Sequence, residues 1–155
     1  MPKFGMKMLV NSIMDNITWY GRGVYENYPD RKSSEFIGKY SLPLDEFAVN
    51  YPAPQENGNR CDVRWISFTD GNLTMRVEGM QPLCVRAWPW MEEQIEKAGH
   101  TYELPDNNDF INVNIDLNIH GVGCNDGWGA QTLEKYTINA NQPYSYGFIL
   151  SCEEE

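Results

Sequence analysis

Residues 110–120, "FINVNIDLNIH", alternate without interruption. Ile111, Val113, Ile115, Leu117 and Ile119 fall on one side of an extended chain, and Asn112, Asn114, Asp116, Asn118 and His120 on the other. The pattern predicts a long strand with an apolar face and a polar face turned to water. The same period of two runs through "LTMRVEG", where Leu73, Met75 and Val77 alternate with Thr74, Arg76 and Glu78, and through "YSYGFIL", with Tyr144, Tyr146, Phe148 and Leu150. Shorter strands are predicted at 17–20, 36–40, 47–51, 63–68 and 85–88, separated by Gly, Pro, Asn and Asp clusters. Only "WMEEQIEKAG" has helical spacing, with Met91, Ile95 and Ala98 on one side and Gly99 as the C-cap. Many strands with turn signals between them predict an all-β fold, an antiparallel β-sandwich with one short helix, rather than βαβ units.

Composition narrows this further. At 155 residues with 41% hydrophobic and 13% aromatic content, the chain has the apolar area for a single domain spanning 1–155. There is no internal repeat or flexible linker, and the only charge run, the C-terminal "EEE", reads as a solvated tail. A net charge of -10 works against nucleic acid and anionic membranes as partners. No stretch approaches the roughly 20 apolar residues that cross a bilayer. Cys61, Cys84, Cys124 and Cys152 are scattered, with only His100 and His120 to join them, so free, mostly buried thiols are expected rather than a zinc site. Two Asn-x-Thr sequons, at Asn16 and Asn72, matter only on a eukaryotic secretory route.

Three Gly- and Asn-rich segments are the candidates for chemistry. In "GRGVYENYPDRKSS", glycines, Pro29 and Asp30 predict an ordered loop, with Asp30 capping local N–H groups and Arg31 pairing with Glu26 or Asp30. In "YPAPQENGNR", Asn57-Gly58 is a tight-turn signal, and Glu56 lacks the second carboxylate that glycoside hydrolysis needs. In "HGVGCNDGWG", the glycines lack the helix and lysine of a phosphate loop, and Asp116, Asn125 and Asp126 lack the spacing of a calcium cage. A sugar fits this third segment better: the indole of Trp128 offers a stacking face, and Asn125 and Asp126 offer partners for hydroxyls. A core or interface role for Trp128 stands beside that reading.

The segments "WYGRGVYENYPDRKSSEFIGKY", "YPAPQENGNRCDVRW", "HTYEL" and "VNIDLNIHGVGCNDGWG", in this order, resemble the C-terminal, small-chain domain (the fifth domain) of the β-galactosidases of glycoside hydrolase family 2. The resemblance runs through nearly the whole chain. It implies a galactose-mutarotase-like β-supersandwich, of which this sequence is a C-terminal piece. It also implies that the catalytic carboxylates, and the Mg and Na ions of the family, belong to other domains including a (β/α)8 barrel. No residue here is then catalytic, no cofactor is held, and the chain alone is expected to be inactive.

By the same resemblance Trp128 stacks on the sugar's leaving-group side, with Asn125 and Asp126 beside it, and the domain forms part of the active-site wall. The implied partners are a galactoside, the upstream domains of the parent enzyme and, through uncovered strand edges, further copies of the chain. The implied location of the parent is the bacterial cytoplasm or periplasm. Two departures from the family pattern stand out: Gly123, Cys124 and Asn125 replace a Gly-Gly-Asp run, and Gly127 replaces the serine often found before the tryptophan. A stand-alone carbohydrate-binding module and a purely structural domain are the alternative readings.

Overall fold

The computed structural model describes residues 1–106, 109–126 and 128–154. Among them the strands are β1 (Lys3–Asn11), β2 (Asn16–Gly23), β3 (Phe36–Pro43), β4 (Arg60–Thr69), β5 (Leu73–Trp88), β6 (Phe110–Ile119) and β7 (Phe148–Glu154). Two short α-helices, α1 (Leu44–Phe47) and α2 (Glu92–Lys97), one more than the single helix expected, and two 3-10 turns (Thr101–Glu103 and Glu134–Tyr136) complete the set. All pairings are antiparallel, in the order β1-β6-β5-β4-β2-β3, with β7 also paired to β5.

The bend that shapes this all-β sandwich lies where β4 meets β5. Pairing passes from Arg60 with Val85 to Val63 with Leu83 and then to Trp65 with Glu78, so each strand carries residues its partner does not match. Beyond the bend, residues 73–79 of β5 pair with β7, whereas residues 84–88 pair with β6. The apolar faces of both arms meet in one core. Ile17 and Trp19 of β2, Ile66 and Phe68 of β4, Val77 and Val85 of β5 and Ile111 and Ile115 of β6 belong to one buried cluster.

Asp62 sits at the β4 irregularity with φ of 55°, a left-handed conformation that Asp tolerates better than most residues. Its Oδ2 accepts from Arg22 Nε at 2.5 Å, and both its oxygens accept from Lys32 Nζ at 3.0 Å. Burial alone would raise its pKa, but Arg22 and Lys32 hold it below the ordinary carboxylate value. A depressed folded pKa means stability that is present above the unfolded value, near 3.9, and is lost as pH falls through the folded one. Asp62→Asn should therefore cost about 1–2 kcal/mol at neutral pH, with the gap to wild type closing below about pH 3. Urea titrations at both pH values check this.

The polar side of β6 is where the structure departs from the sequence expectation. Asn112, Asn114 and Asp116 are buried rather than wet, because the chain after β5 folds back over them. Trp88, Ile95 of α2, Leu104 and Ala48 form a satellite apolar cluster on that side. Beneath it Arg86 Nη2 donates to Asp116 Oδ2, and Asn112 Nδ2 donates to Trp90 O at 3.2 Å. Lys3 pairs with Glu92 and reaches Glu56 at 3.5 Å, while Arg86 Nη1 lies 3.7 Å from the same Glu56. The polar face is thus an internal ionic layer.

Other boundaries shift for local reasons. The predicted strand at 47–51 is instead the end of α1 followed by irregular chain: Phe47 turns inward to meet Trp19 edge-on at 5.2 Å, and Val49 N–H goes to Asn57 Oδ1. The helix expected over "WMEEQIEKAG" is confined to α2, where Gln94 Oε1 accepts from Met91 N–H and Gly99 N–H goes to Glu103 Oε2 rather than closing a left-handed cap. The strand at the C-terminus begins later than "YSYGFIL" suggests and takes in Glu153 and Glu154, which pair with Thr74 and Leu73; Glu155 lies outside the described residues. Strand β1 was not predicted, although Phe4, Met6, Met8 and Val10 alternate with Lys3, Gly5, Lys7 and Asn11, and only Leu9 breaks the pattern; it pairs with β6 along its whole length. All four cysteines are free, but only Cys61 and Cys84 are buried, whereas Cys124 and Cys152 are exposed.

Candidate functional site

The third Gly-rich segment leaves β6 as an ordered loop. His120 N–H donates to Pro2 O at 2.7 Å, Gly121 N–H to Tyr136 O at 2.9 Å and Cys124 N–H to Ala130 O at 3.0 Å. Asp126 Oδ1 accepts from the N–H groups of Trp128 (2.8 Å) and Ala130 (3.1 Å), fixing the tip from inside. At the base, the Asp30 carboxylate accepts from Val122 N–H at 3.0 Å and Gly123 N–H at 2.8 Å. Trp128 projects from this frame with 94% of its surface exposed. The loop is held by polar contacts, and the indole takes no part in holding it.

The glycines follow from these contacts. A Cβ at Gly121 would come within 2.6 Å of the Asp30 carboxylate, so a side chain there would push the clamp away. Gly123 has φ of 67°, and a Cβ would meet Ala130 O and Thr132 N at 2.9 Å. Cys124, one of the departures from the family pattern, adopts φ of 54° and bears the cost that a glycine would avoid. Cys124→Gly should raise stability by about 1 kcal/mol while leaving the loop in place. A urea titration checks the first half, and unchanged NMR shifts of the Trp128 and Ala130 amides, which Asp126 holds, check the second. Gly127, the other departure, lies outside the described residues.

The first two motif segments lock to one another behind the loop. Asn27 Oδ1 accepts from Cys61 N–H at 2.8 Å, Asn27 N–H donates to Asn59 O at 2.7 Å, and Asn59 Nδ2 donates to Asn27 O at 2.6 Å. Glu26 accepts from Tyr51 O–H through Oε1 and from Gly58 N–H through Oε2 at 2.8 Å. The hydrogen bond to Glu26, with burial adding to it, pushes the Tyr51 hydroxyl up to about 12. Asn57-Gly58 does turn the chain, with Gly58 at φ of 70°, but the turn is buried and does not join two paired strands. Its backbone receives Trp88 Nε1 at Asn57 O and Arg60 Nη1 at Gly58 O.

The expected pairing of Arg31 is replaced by this arrangement. Glu26 is held by Tyr51 and Gly58, Asp30 caps amides more than ninety residues away rather than local ones, and the exposed Arg31 side chain stays on a cleft. That cleft, about 560 Å³, is lined by Glu26, Tyr28, Arg31, Tyr51, Glu56 and His120 together with Gly121, Val122 and Cys124 at the base of the Trp128 loop. Asn125 and Asp126 are exposed beside Trp128, with Oδ1 of Asp126 committed to the turn. Among the described residues no three His, Cys, Asp or Glu side chains are grouped to hold a metal ion. The residues that sequence reasoning missed as parts of one site, Tyr28 and His120, carry no local motif and meet only through the pairing of distant segments.

Comparison with known proteins agrees with the motif order. The family described as "Beta galactosidase small chain" matches residues 1–150. The chain is similar to a "Beta-galactosidase" of Priestia megaterium, 36% identical over 150 residues, covering 96% of this chain and 14% of that protein. It is also similar to a "Beta-galactosidase" of Pseudoalteromonas haloplanktis, 34% identical over 152 residues, covering 97% of this chain and 14% of that protein. A third, from Vibrio cholerae, is 32% identical over 151 residues, again with 97% of this chain and 14% of the relative covered. The chain therefore spans about a seventh of the length of the curated relatives it matches. With the matched region embracing the Asp30 clamp, the Asn27–Asn59 lock and the Trp128 loop, this chain belongs to the β-galactosidase small-chain family.

Proposed function

We propose that this chain works as the small-chain part of a β-galactosidase, walling the mouth of the active site and presenting Trp128 to the leaving-group side of a galactoside. The observation that carries the reading is a 94% exposed indole on a loop whose backbone is fixed by Asp30 and Asp126. With the backbone already fixed, only the side-chain torsions of Trp128 remain to be ordered when a pyranose ring stacks on it, so little of the stacking is lost to ordering the loop. Asn125 stands beside it as a hydroxyl partner, and Asp126 acts first as a brace of the turn. The general acid, the nucleophile and the Mg and Na sites then belong to the remainder of a longer polypeptide, in a barrel, and this domain is part of a larger supersandwich.

Exposed apolar residues on outer strands, such as Phe36 at 78% and Ile149 at 63%, suit cover by those upstream domains or, when the chain is isolated, by another copy. The test is reconstitution. The chain is mixed with the Priestia megaterium enzyme from which the matching small-chain region has been deleted, and hydrolysis of an aryl β-galactoside is followed. Negligible turnover from either piece and turnover from the mixture, or from the two joined as one chimeric polypeptide, is the expected result. Turnover by the chain alone would overturn the assignment of the chemistry to other domains.

A further inference from the structure

We propose that the cleft at the base of the Trp128 loop is a second subsite, which takes a neutral hexose unit of a longer saccharide through Tyr28, Arg31 and Glu56. The inference rests on the reading that this chain meets a galactoside, and extends it from one sugar ring to at least two. Tyr28 is 5% exposed, with its ring against Cys61, Cys84 and Ile119, yet it lines the cleft, and among the described residues nothing hydrogen-bonds its hydroxyl. The hydroxyl opens on the cleft, where it is free to donate to and accept from a molecule that enters. Burial, with Glu26 and Glu56 adding to it, pushes the Tyr28 hydroxyl up, so it remains an O–H donor at any physiological pH.

The other groups define what that molecule is. Glu56 is held only loosely, 3.5 Å from Lys3 and 3.7 Å from Arg86, and its side chain is 41% exposed, so its oxygens remain able to accept from hydroxyls. Behind it Arg86 is buried, and its Nε and Nη1 have no hydrogen-bond partner. Arg31 supplies donors from the opposite lip. A lining of two carboxylates and one guanidinium, on a chain of net charge -10, repels an anion, while the lack of a grouped ligand set disfavours a metal ion. A polyol, whose every hydroxyl both donates and accepts, is the ligand that such a mixture satisfies without stranding a charge.

Size and place agree with this. A cleft of about 560 Å³ is within the range of small-molecule sites. Cys124 lines it, and Trp128 follows four residues later, so the two Cα atoms are no more than about 14 Å apart. One saccharide of two or three units can therefore meet both.

The experiment is an NMR titration of the 155-residue chain with lactose and with a β-linked galactotriose, following backbone amides and the Trp128 indole N–H. The amides of Arg31, Glu56 and His120 should move with either sugar, and the trisaccharide should bind more tightly than lactose. Tyr28→Phe and, as an exposed second variant that leaves the core untouched, Arg31→Ala should each weaken the trisaccharide by roughly five- to tenfold. Movement confined to the Trp128 loop, unchanged affinity in both variants, or no movement anywhere would overturn the subsite. The reading of Trp128 is tested separately by kinetics in the longer enzyme, so the failure of one is distinguishable from the failure of the other.

Discussion

Asp116→Asn should lower the stability of the chain by about 3–5 kcal/mol, the largest effect expected of any change that leaves side-chain volume intact. Asp116 is 2% exposed and Arg86 is fully buried. Burial pushes the Asp116 carboxyl up, and Arg86, then Lys3, pull it back. The amide would leave the Arg86 guanidinium charged and dry, with only the part-exposed Glu56 carboxylate at 3.7 Å to balance it, when its Nε and Nη1 already have no hydrogen-bond partner. The double variant Arg86→Met/Asp116→Asn removes both charges and should recover most of the loss, since the penalty belongs to the orphaned cation more than to the lost pair. Urea titrations of the three proteins decide the matter. A single variant within about 1 kcal/mol of wild type would mean that the layer does not depend on this pair.

Asp30→Ala is the second large effect, and it acts on the site. The carboxylate accepts two backbone N–H groups, from Val122 and Gly123, and each bond to a charged acceptor is worth about 1.5–3 kcal/mol. Their loss should cost about 3 kcal/mol locally and release the base of the Trp128 loop while the β-sandwich stays folded. Hydrogen exchange should show Val122 and Gly123 losing protection, with Ile111 and Val113 in β6 unchanged. Asp30→Asn keeps an acceptor without the charge and should fall between the two. Equal protection of Val122 and Gly123 in all three proteins would remove Asp30 from the support of the loop.

Why Asp30 and Trp128 form one device was only half visible in the sequence. The motifs were legible: "ENYPD", "QENGNR" and the glycines before Trp128 mark three ordered loops, and strict alternation marked β6 and the first half of β5. What they hold was not. A carboxylate that caps amides more than ninety residues away has no local signature, and Arg31, next to it, looked like its natural partner. The polar side of β6 was misread for a related reason. Alternation fixes which residues share a face, but whether that face meets water depends on what folds over it. Arg86 of β5 lies in register with Asn114 of β6 and is buried with it, a pairing that neither strand's own pattern reveals. Phe47, Val49 and Tyr51 alternated like a strand, yet Pro43 before α1 and the burial of Phe47 against Trp19 set that segment as a turn of helix and a loop.

The measurement closest to the central claim is the kinetics of Trp128→Ala in the chimeric enzyme. Stacking of this kind is worth about 0.5–1.5 kcal/mol beyond buried area, or roughly two- to tenfold in binding. The account predicts that KM for lactose rises by about that factor, with a smaller change for an aryl galactoside, whose ring makes apolar contacts of its own. Unchanged KM for both substrates would contradict it and leave Trp128 without a role at the sugar.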